Sequence, residues 1–202
     1  MIRKNLINSN LIGVKKSGKS LFSEYMASFR PESEQCPCCK AKGACSVFAY
    51  YFRYLIDFID GRPDTTQIKV MRVKCSCGAT HAVLFDPIIP YEQHSLFFIL
   101  EVLAVHLLHL KTIEQICRVY EISVSTLYRW KGLYKVHHKE WLGALISYET
   151  KLIDFILELM HIDSYAEFAY EFFCKTGITF LQSHKNPVPY QRRQKSDDSG
   201  FP

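Results

Sequence analysis

Cys36-Pro-Cys-Cys39 and Cys75-Ser-Cys77-Gly78 are the stretches whose reading decides the fold. Each is a turn-like cysteine cluster, and strand-like sequence lies between them. Residues 47–58 are rich in Tyr, Phe and Ile, and residues 67–75 in Val, Ile and Met. Asp60-Gly-Arg-Pro63 supplies turn chemistry between the two strands. Residues 81–85 read as a third short strand, and Asp86-Pro-Ile-Ile-Pro90 breaks regular structure. Two cysteine knuckles facing each other across a hairpin describe a zinc ribbon, in which thiolates from two loops complete a tetrahedron around Zn2+. A sheet this small buries little apolar area, so the metal is expected to supply much of its folding energy. The expected ligands are Cys36, Cys39, Cys75 and Cys77. His81 is a substitute, because a single residue separates Cys75 from Cys77. Cys38 and Cys45 are spare. A thioredoxin-like redox pair at Cys36 and Cys39 is disfavoured, since no strand of a βαβ unit precedes it.

From residue 95 the pattern turns helical. Residues 95–109 are apolar almost all round, as a buried helix requires. Further helices are expected at 112–120, 124–136, 139–148, 150–161 and 164–175, with Gly177 as a C-terminal cap. The fold class is therefore α+β, mostly α: a small zinc-ribbon sheet followed by a helical domain. The expected divisions are a basic arm at 1–35, the ribbon at 36–90, the helical domain at 91–180 and a disordered tail at 181–202.

Residues 112–134 read as a helix-turn-helix. Thr112 with Gln115 forms a capping box, Ile122 fills the turn, and Ser123 can cap the second helix. Val124, Leu127, Trp130 and Tyr134 recur at helical spacing and form its expected buried stripe. The opposite face carries Ser125, Thr126, Tyr128 and Arg129, with Lys131 at its edge. Short hydrogen-bonding side chains, an aromatic ring and cations at this end suit a helix that enters the major groove of double-stranded DNA. Arg129 is placed to pair with guanine, and Ser125 and Thr126 to reach bases or phosphates. Lys111, Arg118, Lys131 and Lys135 are expected on the phosphate backbone. Glu121 stands where glycine is common, and a left-handed conformation there costs roughly 1 kcal/mol.

These motifs carry a resemblance. Cys36-Pro-Cys-Cys39, Val70-Met-Arg-Val-Lys-Cys75-Ser-Cys-Gly78-Ala-Thr-His81-Ala-Val-Leu84, Pro87-Ile-Ile-Pro-Tyr91 and Ile122-Ser-Val-Ser-Thr-Leu-Tyr-Arg-Trp130 resemble a bacterial family of unknown function, mostly from Firmicutes. It couples an N-terminal zinc ribbon to a transposase-like helix-turn-helix. The likeness spans roughly residues 30–145 and extends to Phe180-Leu-Gln-Ser-His-Lys-Asn-Pro187. It implies a mobile-element or transposase-related DNA-binding role and brings no established activity.

Composition adds bounds. The chain has 202 residues, 25 Lys and Arg against 20 Asp and Glu, and a formal charge of +5. This mild basic excess permits a nucleic-acid partner without establishing one. Eight cysteines, most of them clustered, and no signal-like opening suggest a cytoplasmic metal protein. No membrane span is expected, because the apolar run at 96–110 is short and holds Glu101, His106 and His109. Gly13-Val-Lys-Lys-Ser-Gly18-Lys19-Ser20 matches the phosphate-loop pattern, but it lacks the buried parallel strand the motif needs, so no nucleotide is expected. His106, His109, His137 and His138 are read as packed or surface histidines. A transposase nuclease needs carboxylates converging on two metals, and Asp154, Glu158, Asp163, Glu167 and Glu171 read instead as solvated acids along helices. No enzyme activity is expected. The leading expectation is a DNA-binding accessory or regulator, with a possible homodimer or transposase partner. The alternatives are a protein-interaction adaptor using the ribbon and apolar C-terminal helices, or a non-catalytic transposase subunit.

Overall fold

The computed structural model describes residues 2–4, 17–85, 87–142, 152–160 and 162–183. Within them the chain mixes helices with one small sheet. Strand β1 is Ile2–Lys4, β2 Cys45–Ile59, β3 Arg62–Cys75 and β4 Thr80–Phe85, in the sheet order β1-β4-β3-β2. The strands β2, β3 and β4 are antiparallel, and β1 pairs parallel to β4. The helices are α1 Gly18–Ser28, α2 Leu96–Leu107, α3 Ile113–Val119, α4 Val124–Leu142, α5 Leu152–Met160 and α6 Ile162–Thr176.

The central hairpin is longer than the composition suggested. Asp60 and Gly61 both take positive φ, 51° and 77°, which is the mirror-image two-residue turn whose twist matches its flanking strands. Arg62 and Pro63, expected in the turn, therefore already lie in β3, with Pro63 opposite Phe58. Proline's fixed φ is tolerated at the start of a strand.

Residues 17–35 pack on the sheet and do not stand off it as an arm. Ser17 caps α1 by accepting from the Ser20 N–H at 3.2 Å. Leu21 and Phe22 of α1 are buried with Leu55, Ile68, Val70, Leu84, Phe85 and Ile88. The expected boundary at residue 90 also carries continuous structure. Ile56 and the segment at 93–95 exchange backbone bonds of 2.9 Å, and Phe58 of β2 packs on Phe98 and Tyr120 of the helical half.

The helical core gathers side chains from α2 to α6 and from residues 178–181. Ser95 caps α2, and His109 in left-handed φ ends its last turn. The expected break between 136 and 139 is absent: α4 runs unbroken to Leu142. His137 and His138 are buried on the same face as Tyr134, so packing continues through the place where two histidines looked like a boundary. The remainder of the helix expected at 139–148 lies outside the described residues. Gly177 takes φ 72° and closes α6, as expected of a C-terminal cap. Leu181 and Gln182 are buried, so the start of the expected tail at 181–202 belongs to the core; its residues from 184 lie outside the described residues. Among the described residues, no helix is long and apolar enough to cross a membrane.

Candidate metal centre and the exposed face of α4

Two loops bring four thiols together. In the first, the Cys36 N–H bonds the Ala41 carbonyl and the Lys40 N–H bonds the Cys36 carbonyl, both at 2.9 Å. Lys40 takes φ 64° to turn the chain. In the second, the Cys75 N–H bonds the Ala79 carbonyl and the Gly78 N–H bonds the Cys75 carbonyl, again at 2.9 Å. Gly78 there has φ 87°, a conformation glycine adopts at little cost. The Ser76 N–H reaches the Ala44 carbonyl at 3.0 Å, which ties the two loops to each other.

The Sγ atoms of Cys36, Cys39, Cys75 and Cys77 all lie within 4.8 Å of one another and can hold one metal ion. Sulfurs at the corners of a tetrahedron with metal–sulfur bonds of about 2.3 Å stand about 3.8 Å apart. Cys36 and Cys77 are 3.9 Å apart, and Cys39 and Cys75 are 3.6 Å apart. The donor set therefore fits a tetrahedral thiolate site.

The electrostatics point the same way. The Cys77 N–H, aided by neighbouring thiols, brings Cys75 down to about 6 despite burial. At Cys77 the Ala79 N–H favours the thiolate, but burial and the thiols of Cys75, Cys39 and Cys36 outweigh it and push the group up to about 12. Crowding of like charges disfavours ionising all four thiols together until a cation neutralises them.

His81 sits beside the cluster. Its Nε2 is 3.3 Å from Cys36 Sγ, a position from which a ring N–H donates to the thiolate and steadies it. Cys45 pairs with Cys75 in the β2–β3 ladder, and burial holds its thiol up at about 11. Cys45 is not among the four cysteines whose sulfurs cluster. Cys38 is exposed.

The second candidate region is the pair α3–α4. Thr112 and Gln115 make the reciprocal capping box, with bonds of 2.9 and 3.2 Å. Glu121 takes φ 51°, and Ile122 is buried in the turn. Ser123 caps α4, accepting from the Thr126 N–H at 3.1 Å. Its Oγ also meets the Ser125 and Thr126 hydroxyls at 2.8 and 2.9 Å. Leu127, Trp130 and Tyr134 are fully buried. Val124 is not: it is exposed at the first helical position, so the buried stripe begins one turn later and continues to His137 and His138.

Outside that stripe, Ser125 is exposed, Thr126 half-buried, and Tyr128 50% exposed. Lys131 Nζ lies 3.0 Å from His106 Nε2 and 5.7 Å from the Tyr128 ring centre. Lys111, Arg118 and Lys135 are exposed. Arg129, 46% exposed, is already engaged: its Nη2 is 2.9 Å from Glu92 Oε2.

Glu92 was not legible in the sequence as a site residue. Its carboxylate also accepts from Trp130 Nε1 at 3.2 Å and meets His94 Nδ1 at 3.0 Å. Burial disfavours this charge, but the bonds from His94 and Trp130 and the Arg129 charge prevail and hold it down at about 2. Its carbonyl accepts from Arg53 of β2. Glu92 thus clamps α4 to the sheet. Asp57 plays a similar part at α1, where its Oδ2 accepts the Gly18 N–H at 2.8 Å. A Cβ at Gly18 would stand 2.7 Å from that oxygen, so glycine is needed there. Of the phosphate-loop pattern, residues 13–16 lie outside the described residues. At the start of α1 a phosphate would meet the Asp57 carboxylate.

No curated protein and no solved structure matches the chain. A domain of unknown function, DUF6431, covers residues 36–130, from the first metal-site cysteine to the buried tryptophan of α4.

Proposed function

We propose that the protein is a zinc-dependent DNA-binding protein that acts as a transposition accessory or a regulator. In this reading the cysteine end is a zinc ribbon, and α3 and α4 form a helix-turn-helix. Zinc suits the site because four clustered thiolates at tetrahedral spacing form a closed structural set with no open position for chemistry. Cys36, Cys39, Cys75 and Cys77 would hold the ion, and His81 would orient Cys36.

The observation that carries the DNA reading is the first turns of α4. Ser125, Tyr128 and Arg129 face outward, while Leu127 and Trp130 of the same turns are anchored in the core. Such a helix presents short polar groups and a cation on a rigid support, which suits direct readout in the major groove. The Glu92 pair fixes the Arg129 guanidinium through one nitrogen and leaves other N–H donors for a guanine edge. Lys111, Arg118, Lys131 and Lys135 surround this face and suit phosphate contacts.

The adaptor alternative draws less support. Phe155, Ile156, Leu159, Phe168 and Phe172 of the C-terminal helices are buried in this chain's own core, so that apolar face is not left for a partner.

Selection from random duplex DNA followed by titration tests the proposal. Arg129→Ala with Ser125→Ala is expected to lower affinity for the selected site by about tenfold to hundredfold for each base left unread. Lys135→Ala is expected to weaken all duplexes alike and to reduce the salt slope by about one. Unchanged affinity in the first variant, with the fold intact, would move the DNA-binding surface elsewhere.

A further inference from the structure

The hairpin β2–β3 carries a surface that the α4 reading does not use. Phe48, Tyr50, Phe52 and Tyr54 are 55, 49, 62 and 55% exposed. Tyr50, Phe52 and Tyr54 alternate along the strand and share its outer face, whereas Leu55, Ile68 and Val70 are buried on the side covered by α1. Phe48 is the bulged residue between Val47 and Ala49. A run of rings on the solvent side inverts the usual strand pattern, and large exposed apolar patches mark interaction surfaces.

Cations are set among these rings. Lys69 Nζ lies 4.4 Å from the Tyr50 ring centre, and Lys74 Nζ lies 5.6 Å from that of Phe48. The register sets Tyr50, Phe52 and Tyr54 opposite Met71, Lys69 and Gln67, and no acidic residue lies at 47–54 or 67–73. An occupant that is anionic and offers flat apolar faces suits these rings and the two lysines beside them. A second copy of this chain would set like charges against each other.

We propose that this face binds single-stranded nucleic acid, with bases stacked on Phe52 and Tyr54 and phosphates on Lys69 and Lys74. Alternate strand residues stand about 6.7 Å apart, so successive rings can receive successive unstacked bases. Base stacking on aromatic side chains needs no sequence readout.

The test is fluorescence anisotropy of the full metal-loaded chain with labelled oligo-dT and oligo-U. Phe52→Ala with Tyr54→Ala is expected to weaken binding at least about thirtyfold, that is, by roughly 1 kcal/mol or more per ring. Lys69→Gln with Lys74→Gln is expected to reduce its salt dependence, and Arg129→Ala with Ser125→Ala to leave it unchanged. Tighter binding of oligo-U or of oligo-dT identifies RNA or DNA as the natural occupant. The proposal is overturned if neither oligomer binds below about 100 µM at physiological salt, the weak end of non-specific binding. It is also overturned if both hairpin variants bind like the parent, or if sedimentation shows a dimer that the ring substitutions dissociate.

Discussion

Around the cysteines the core is thin, whereas around Trp130 and Phe180 it is dense. At the cysteine end, Phe29, Val73 and Val83 are buried with Cys36, Cys45 and Cys75, so half of that cluster is cysteine. In the helical half, Tyr134, Phe155, Phe168, Phe172 and Phe180 interlock, mostly edge to face, with ring centres 5.0–6.2 Å apart. Aromatic packing of this kind holds without a cofactor. A small sheet end whose core is half cysteine is expected to lean on a bound ion. The contrast sets an end that a metal ion could brace against one that packing braces, and the two ends are expected to respond differently to metal removal and to core substitutions.

The largest expected effect is metal removal. Chelation, or Cys75→Ser, should lower the thermal midpoint by about 10 °C or more and open residues 36–45 to protease, with helical circular dichroism largely kept. Cys45→Ala should retain the metal and cost only about 1 kcal/mol, since it removes a packed thiol and not a ligand. Metal content and melting curves check both. Complete unfolding on chelation would erase the distinction between the halves.

Next comes Trp130→Ala. It removes a fully buried ring and the donor to Glu92, and should cost about 3–5 kcal/mol while leaving metal stoichiometry intact. A parallel loss of metal would mean that the Glu92 clamp couples the halves more tightly than their separate cores suggest.

A smaller effect than the loss of Trp130 is acid sensitivity of the helical half. Burial holds His137 down at about 4, and its Nδ1 accepts the Leu181 N–H at 2.8 Å. A depressed histidine favours the neutral form in the fold, so stability is full above about pH 6.5 and declines as pH falls toward 4, by on the order of 2 kcal/mol. The Glu92 contribution is present above about pH 4.5 and is lost as pH falls through about 2. Chemical denaturation midpoints between pH 7 and 4 read the first effect. A His137→Asn chain should show a flatter profile.

Much of this was legible in the residues. Cysteine spacing announced the cluster, because ligand geometry constrains short loops. The Thr112–Gln115 capping box and the stripe Leu127, Trp130 and Tyr134 were legible too, because caps and helical period act over three or four residues. Val124 was misassigned to the stripe, since period alone does not say where burial begins. His137-His138 looked like a break because polarity in sequence does not reveal that a helix continues beneath a neighbour.

What the sequence determined by itself is local: knuckles, caps, turns and the order of strands and helices. The tertiary structure alone decided which carboxylates became clamps, since Glu92 meets Arg129 and Trp130, and Asp57 meets Gly18, across tens of residues. It also decided that α1 covers one side of the sheet and leaves the rings of β2 facing water. Long-range pairings of this kind depend on how separate elements pack, and no local pattern encodes that choice.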